Sequence, residues 1–106
     1  MQLQSIGDVI ALRELRLTDS SGSERILEVS IGKPQPFGDS EGYFCPFRIS
    51  GIEPERLKYA AGQDAVQSLQ LAMVMIGAVL NSIREQLGGD LRWLGGRNGD
   101  SGFPTG

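Results

Sequence analysis

The sequence contains no histidine and a single cysteine, Cys45. Zinc and other metals that prefer nitrogen and sulfur ligands therefore lack donors, and an internal disulfide is impossible. No acidic residue has the alternating spacing of a calcium-binding loop. The acids that fall in predicted loops are typical of solvated turns: Asp19, Asp39, Glu41, Asp90 and Asp100. We therefore expect no bound metal and no other cofactor.

Basic residues are also few, with 10 lysines and arginines against 13 aspartates and glutamates, for a net charge of -3. Binding of nucleic acid requires clustered positive charge to neutralise phosphates, so no nucleic-acid partner is expected. The length of 106 residues fits one domain. Residues 1–8 lack the basic and apolar regions of a secretory signal, and one cysteine suits a reducing compartment. These features predict a cytoplasmic protein.

Nucleophilic catalysis is not favoured by this composition. Without histidine, a cysteine or serine nucleophile would need a lysine or a carboxylate as its base. Cys45 falls on the predicted inward face of a strand between aromatic neighbours, where a thiol acts as a small hydrophobe with a raised pKa. Two pairs of nearby carboxylates are compatible with acid–base chemistry but are more typical of loop charge: Asp39 with Glu41, and Glu53 with Glu55. The sequence therefore favours a noncatalytic protein over an enzyme.

One long stretch, residues 64–87, has the pattern of a single helix. Its apolar residues recur at spacings of three and four and predict a face that packs on a core: Ala65, Leu69, Ala72, Ile76, Leu80, Ile83 and Leu87. Asp64 is a good N-cap, and Gln67 stands where a capping box has its second member. Gly88 follows the last turn, where a residue that tolerates the left-handed conformation can close the helix.

The same helix has a second apolar stripe on its opposite side. Placed at about 100° per residue, four side chains share this side: Leu71, Val74, Met75 and Ala78. Residues 71–80 carry no polar side chain, but this run is shorter than the about 20 residues of a membrane span, so no membrane partner is expected. Gly77 costs about 1 kcal/mol relative to alanine inside a helix, which indicates either close approach of another element or relief of crowding. The pattern predicts a helix covered on both sides.

Four other stretches are predicted to be strands by their alternation of apolar and polar residues: 8–18, 24–32, 43–50 and, in preference to a helical turn, 56–61. The first two form a hairpin through a turn at 19–23. Residues 33–42 contain two prolines and two glycines and are expected to form an exposed loop. The apolar island 91–94 either adds a strand or packs against the helix. The predicted fold is α+β, an antiparallel sheet of three or four strands with one long helix packed across one face.

Two of the predicted strands contain a position that departs from regular strand geometry. Ile10 and Leu12 share one phase of the first strand and Leu15 and Leu17 the other, so a β-bulge near Arg13 would place all four on one face. Pro46 cannot donate a hydrogen bond, so the third strand is either an edge strand or has its donor side unpaired there.

The domain is predicted to comprise residues 1–94. Residues 95–106 form a glycine-rich C-terminal tail without structure of its own. Trp93 and Phe103 are the aromatic side chains that would anchor this tail to the domain.

Two segments carry a resemblance to a known family. The sequence Tyr-Phe-Cys-Pro-Phe-Arg-Ile-Ser-Gly at 43–51, followed by the segment 60–72 with Gly-Gln-Asp at 62–64, resembles a family of small uncharacterised bacterial proteins that pair a Cys-Pro strand with a Gly-x-Asp helix start. The resemblance covers about residues 8–87. It implies a bacterial source and a compact α+β domain, and it implies no activity and no site residues.

The leading functional hypothesis is a noncatalytic protein-binding module that forms a homodimer. Its predicted interface is the second stripe of the helix: Leu71, Val74, Met75 and Ala78.

Two alternatives remain open. The first is a small-ligand-binding protein or enzyme, with a pocket between the helix start and the 33–42 loop that uses Tyr43, Arg48 and Asp64. The second is an immunity or antitoxin-like partner of another bacterial protein, which the acidic charge permits.

Overall fold

The structure, a computed structural model, describes residues 3–38, 41–93 and 101–104. The elements in chain order are β1 (Val9–Thr18), β2 (Glu24–Gly32), β3 (Gln35–Pro36), β4 (Tyr43–Ser50), β5 (Arg56–Gly62), α1 (Ala65–Leu87) and β6 (Asp90–Trp93). All strand pairs are antiparallel. The predicted α+β fold, an antiparallel sheet with one long helix across one face, is confirmed. Within the described residues the sheet has six strands rather than three or four, because the 33–42 segment contributes β3 and the apolar island forms β6.

β4 lies inside the sheet. It pairs with β5 on one side and with both β2 and β3 on the other, and β1 and β6 follow β2 outward. Pro34 separates β2 from β3, so the ladder on that side of β4 is interrupted at Cys45 and Pro46. A proline in a central strand is tolerated at such a gap, because no ladder hydrogen bond is lost there.

The β-bulge of β1 lies at Ile10, and the prediction that it lies near Arg13 is wrong. Strand alternation runs unbroken from residue 11 to 18, so Leu15 and Leu17 face α1 and are fully buried. Leu12 faces the other side of the sheet and is 59% exposed. Arg13, in phase with Leu15 and Leu17, occupies an inward position instead.

The core lies between α1 and the facing side of the sheet. Its fully buried side chains come from both layers: Leu15, Leu17, Leu27, Val29, Phe47 and Ile49 from the sheet, and Ala72, Ile76 and Leu80 from α1. The helix residues belong to the stripe predicted from sequence. Burial of each of the larger side chains contributes about 1.5–3 kcal/mol to the stability of the fold. This burial holds α1 against the sheet.

The ends of α1 are capped largely as predicted. The Asp64 carboxylate accepts a hydrogen bond from the backbone N–H of Gln67 at 2.8 Å. The Gln67 side chain accepts from the N–H of Gln63 at 2.6 Å, one residue before the N-cap, instead of from the N-cap itself. Gly88 takes the left-handed conformation with φ 64°, and the N–H of Gly89 donates to the carbonyl of Arg84 at 3.3 Å.

The N-terminal segment covers part of the sheet face that points away from α1. Ile6 is buried there, and a Cβ added to Gly32 would lie 2.3 Å from the Ile6 carbonyl oxygen and 2.8 Å from Pro46 Cγ. Glycine at position 32 therefore allows the segment to cross the sheet. On the same face Phe37 packs on Phe44, with ring centroids 5.3 Å apart.

Residues 101–104, here called the C-terminal strap, lie across one flank of α1. Phe103 is buried in the core cluster. A Cβ added to Gly77 would lie 2.8 Å from the Pro104 carbonyl oxygen and 3.4 Å from Phe103 Cβ. Of the two explanations for Gly77, close approach of another element is the one that the geometry supports. Residues 95–100 and 105–106 of the predicted tail lie outside the described residues, as does Leu94 at the predicted end of the domain.

Candidate functional site

The first candidate site is the outer stripe of α1, defined as Leu71, Val74, Met75 and Ala78. Leu71 is 44% exposed, Ala78 is exposed, and Val74 and Met75 are half-buried. Each residue turns a helix by about 100°, so Ala78 points to a different flank from Gly77. The strap therefore covers one flank of α1. In the part of the chain that the structure describes, the outer stripe is exposed at Leu71 and Ala78, whereas Met75 packs partly against the core cluster.

The sequence places polar groups only at the ends of this surface. Gln67 and Glu85 are exposed near the two ends of α1, whereas residues 71–80 offer no hydrogen-bonding or titratable side chain. The outer side of an ordinary surface helix carries charge along its whole length. The outer stripe can pack against another apolar surface, and it has no group that would perform chemistry.

The residues of the predicted pocket lie apart in the sheet. Tyr43 and Arg48 are five positions apart on β4, so strand alternation places them on opposite faces. The Nε atom of Arg48 lies 3.6 Å from an oxygen of Glu55, and the Asp64 carboxylate caps α1. Two cavities elsewhere on the surface are lined by other residues. A ligand site at Tyr43, Arg48 and Asp64 stays a prediction.

The first of these cavities, here called the β1–α1 cavity, opens between β1, β2, α1 and the strap. It has a volume of about 130 Å³. Its lining is mostly apolar: Ala11, Leu12, Arg13, Val29, Ile31, Met73 and Phe103. A second depression of about 350 Å³ lies between residues 7–8 and 33–36.

A cation–aromatic cluster that the sequence did not reveal borders the β1–α1 cavity. The Arg13 guanidinium carbon lies 4.6 Å from the centroid of the Trp93 ring and 4.9 Å from that of Phe103. Arg13 Nη1 also donates to the carbonyl oxygen of Ser101 at 3.4 Å. The two rings were predicted as anchors of the tail, but their partner was not. The available signal was that Arg13 shares the phase of the buried Leu15 and Leu17 in β1.

Cys45 is fully buried on the inward face of β4, as its position in the alternation indicated. Its thiol donates a weak hydrogen bond to the Gly32 carbonyl oxygen, with the two atoms 3.5 Å apart. Burial raises the pKa of Cys45 to about 11 from its ordinary value of 9.0, because the thiolate is poorly solvated there. At neutral pH this side chain is a protonated core residue without nucleophilic character.

The raised pKa predicts how stability changes with pH. The folded state holds the Cys45 proton more tightly than the unfolded chain, so this contribution to stability is complete below pH 9 and is lost as the pH rises toward 11. We expect the free energy of unfolding of the wild type to fall by on the order of 2 kcal/mol more than that of Cys45→Ala between pH 8 and pH 10.5. Urea titrations of both proteins at the two pH values measure this difference. Parallel changes in the two proteins would contradict a buried thiol.

The described residues contain no group of three or more histidine, cysteine, aspartate or glutamate side chains that could hold a metal ion. Asp39 and Asp100 lie outside that part of the chain. By length and mean hydropathy α1 could also cross a membrane, with 33% of its most apolar window buried. Its sheet-facing side chains nevertheless pack in the core described above.

Comparison with known proteins gives one family. A family model described as a domain of unknown function, DUF6968, matches residues 11–105. This match extends through β6 and the strap. No curated protein and no solved structure matches the chain.

Proposed function

Because the chain belongs to the DUF6968 family of domains of unknown function, we propose a function from its own surfaces: a noncatalytic protein-binding module that forms a homodimer through the outer stripe of α1. The observation that carries this proposal is an apolar helix surface that is exposed at Leu71 and Ala78 in the described residues. Leu71 is a large hydrophobic side chain at the N-terminal end of that surface and is 44% exposed. An exposed apolar surface bordered by polar residues is typical of protein interfaces.

A second copy of the chain is the partner that this surface suits. The outer stripe carries no charge of its own, so two identical stripes meet without repulsion across their centre. Ala78 is small and permits close approach of two helices. The helix of 23 residues is about 34 Å long, so an antiparallel pair has contact length beyond the four residues of the stripe. The polar ends with Gln67 and Glu85 would form the rim of such an interface.

The oligomeric state tests the proposal. The wild type is expected to sediment as a dimer at micromolar concentration, and Val74→Lys to sediment as a monomer. A lysine in the centre of the stripe would bury an unpaired charge in the interface, which costs several kcal/mol. Leu71→Lys, at the exposed end of the stripe, should have the same effect.

Val66→Lys is a matched control. Val66 is in the same helix and is 64% exposed, but it is eight residues from Val74 and points to another flank. The control should remain dimeric, and the circular dichroism of all variants should stay helical. A wild type that is monomeric at these concentrations would overturn the proposal. Equal dissociation of the dimer by Val66→Lys and Val74→Lys would show that the outer stripe is not the interface.

We further propose a bacterial, cytoplasmic setting. The resemblance of the Cys-Pro strand and the Gly-x-Asp helix start to bacterial proteins supports the source. The single cysteine, buried as a free thiol, supports a reducing compartment.

A further inference from the structure

The β1–α1 cavity arises where the sheet is incomplete. β6 has four residues and pairs only with the second half of β1, from Leu15 to Thr18. Among the described strands, none lies beside the first half of β1 on that edge. The strap crosses there instead and reaches α1 at Gly77. A space between β1, α1 and the strap is left unfilled.

The size and lining of this space suit a compact apolar group. Its volume is about 130 Å³, close to the roughly 150 Å³ of an engineered apolar cavity that binds benzene. Val29, Ile31 and Phe103 are buried residues of its lining, whereas Ala11 is exposed and places its mouth at the surface. A ring or a short branched chain would fill the inner part.

Arg13 gives the cavity a charge preference. Among the described residues it is the only charged one in the lining, and no carboxylate in that part of the chain forms an ion pair with it. The guanidinium carbon lies 4.6 Å and 4.9 Å from the Trp93 and Phe103 ring centroids. Nη1 donates to the Ser101 carbonyl oxygen, so Nε and Nη2 are the nitrogens that would pair with a ligand. An arginine held in this way binds carboxylates with good geometry, because its two N–H groups match two carboxylate oxygens.

We propose that the β1–α1 cavity binds a small carboxylate with a compact apolar body, such as an aromatic acid. The apolar body would lie against Val29, Ile31 and Phe103, and the carboxylate would pair with Arg13 at the mouth. This site shares no residue with the outer stripe of α1, so it is independent of the proposed homodimer.

Benzoate is the probe for the test, and Trp93 is the reporter, since it is the only tryptophan in the chain and stacks on Arg13. Titration of the wild type with benzoate should change the Trp93 fluorescence with saturation, and calorimetry should give the same dissociation constant. Benzyl alcohol lacks the charge and acetate lacks the ring, so each should bind at least about tenfold more weakly, the ratio that 1.4 kcal/mol corresponds to. No saturable response to benzoate, or equal binding of benzoate and benzyl alcohol, would overturn the proposal.

Three variants locate the site. Arg13→Gln should weaken benzoate binding at least about tenfold, a loss of 1.4 kcal/mol or more. Arg16→Gln is the matched control: Arg16 lies on the opposite face of β1, is exposed and pairs with Glu24 at 3.0 Å, so its removal should leave binding unchanged. Ala11→Leu should fill the cavity and abolish binding while the unfolding midpoint stays near that of the wild type. If Arg13→Gln does not fold, Ala11→Leu decides alone, and undiminished binding in it would refute this location.

Discussion

Replacing Gly89 by alanine is expected to detach β6 from β1 and to lower the free energy of unfolding by about 3 kcal/mol or more. A Cβ at this position would lie 1.8 Å from the carbonyl oxygen of Thr18 and 2.7 Å from Asp19 Cα. Both neighbours are backbone atoms, so the clash cannot be relieved by a side-chain rotation. The pairing of Thr18 with Asp90 is adjacent, and its loss would expose Leu91, which is only 1% exposed in the folded chain.

Urea unfolding followed by circular dichroism and by Trp93 fluorescence measures this effect. Gly38→Ala is the matched control, because a Cβ at Gly38 meets nothing within 4 Å and the substitution should change stability by less than about 0.5 kcal/mol. The fluorescence of the Gly89→Ala protein should also shift before global unfolding, since Trp93 lies on β6. Equal midpoints for the two variants would show that β6 is not held against β1 as described.

Phe47→Ala is expected to cost about 3–5 kcal/mol, the range for removal of a buried aromatic ring. Phe47 is fully buried on β4, opposite Ile31 of β2 and Lys58 of β5. Its ring belongs to the core cluster between the sheet and α1. A cavity in a central strand cannot collapse easily, because strands on both sides hold β4 in place. A domain of this size is stable by about 5–15 kcal/mol, so the loss is a large part of the total.

Phe37→Ala is the comparison for this substitution. Phe37 is half-buried on the other face of the sheet, where it packs on Phe44 and contacts Tyr59. Its removal should cost about 1 kcal/mol, mainly the ring contacts. Chemical denaturation of both variants gives the comparison directly. A loss in Phe47→Ala no larger than that in Phe37→Ala would mean that the core is not centred on β4.

Short-range patterns predicted much of this fold. The structure gives β2 and β4 the bounds 24–32 and 43–50 that alternation indicated. The helix α1 begins after Asp64 and ends at Leu87, before Gly88, as its capping residues indicated. Capping and alternation depend on neighbours within a few residues, so they can be predicted from a single sequence. The outer stripe of α1 could be predicted for the same reason. Its role as an interface stays a prediction.

The features that escaped sequence reasoning depend on distant residues. In the sequence, Arg13 is one of several polar residues in an alternating strand. Its contacts with Trp93 and Phe103 could not be predicted, because these residues come from the other end of the described chain. The two-residue β3 is a strand only because β4 lies beside it. The bulge at Ile10 is set by the register against β2. Each of these features depends on which strands lie side by side, and the propensities of nearby residues do not specify that pairing.

The pairing of the first strand with the last also has a kinetic consequence. Leu15 of β1 lies opposite Trp93 of β6, so this edge of the sheet cannot close until almost all of the domain has left the ribosome. Contacts between such distant segments slow folding toward the millisecond-to-second range. Until then the outer edge of β1 offers unpaired backbone groups to any neighbouring strand, as an unprotected sheet edge does. Nascent chains are therefore at greatest risk of misassembly in the interval between completion of the β1–β2 hairpin and arrival of β6.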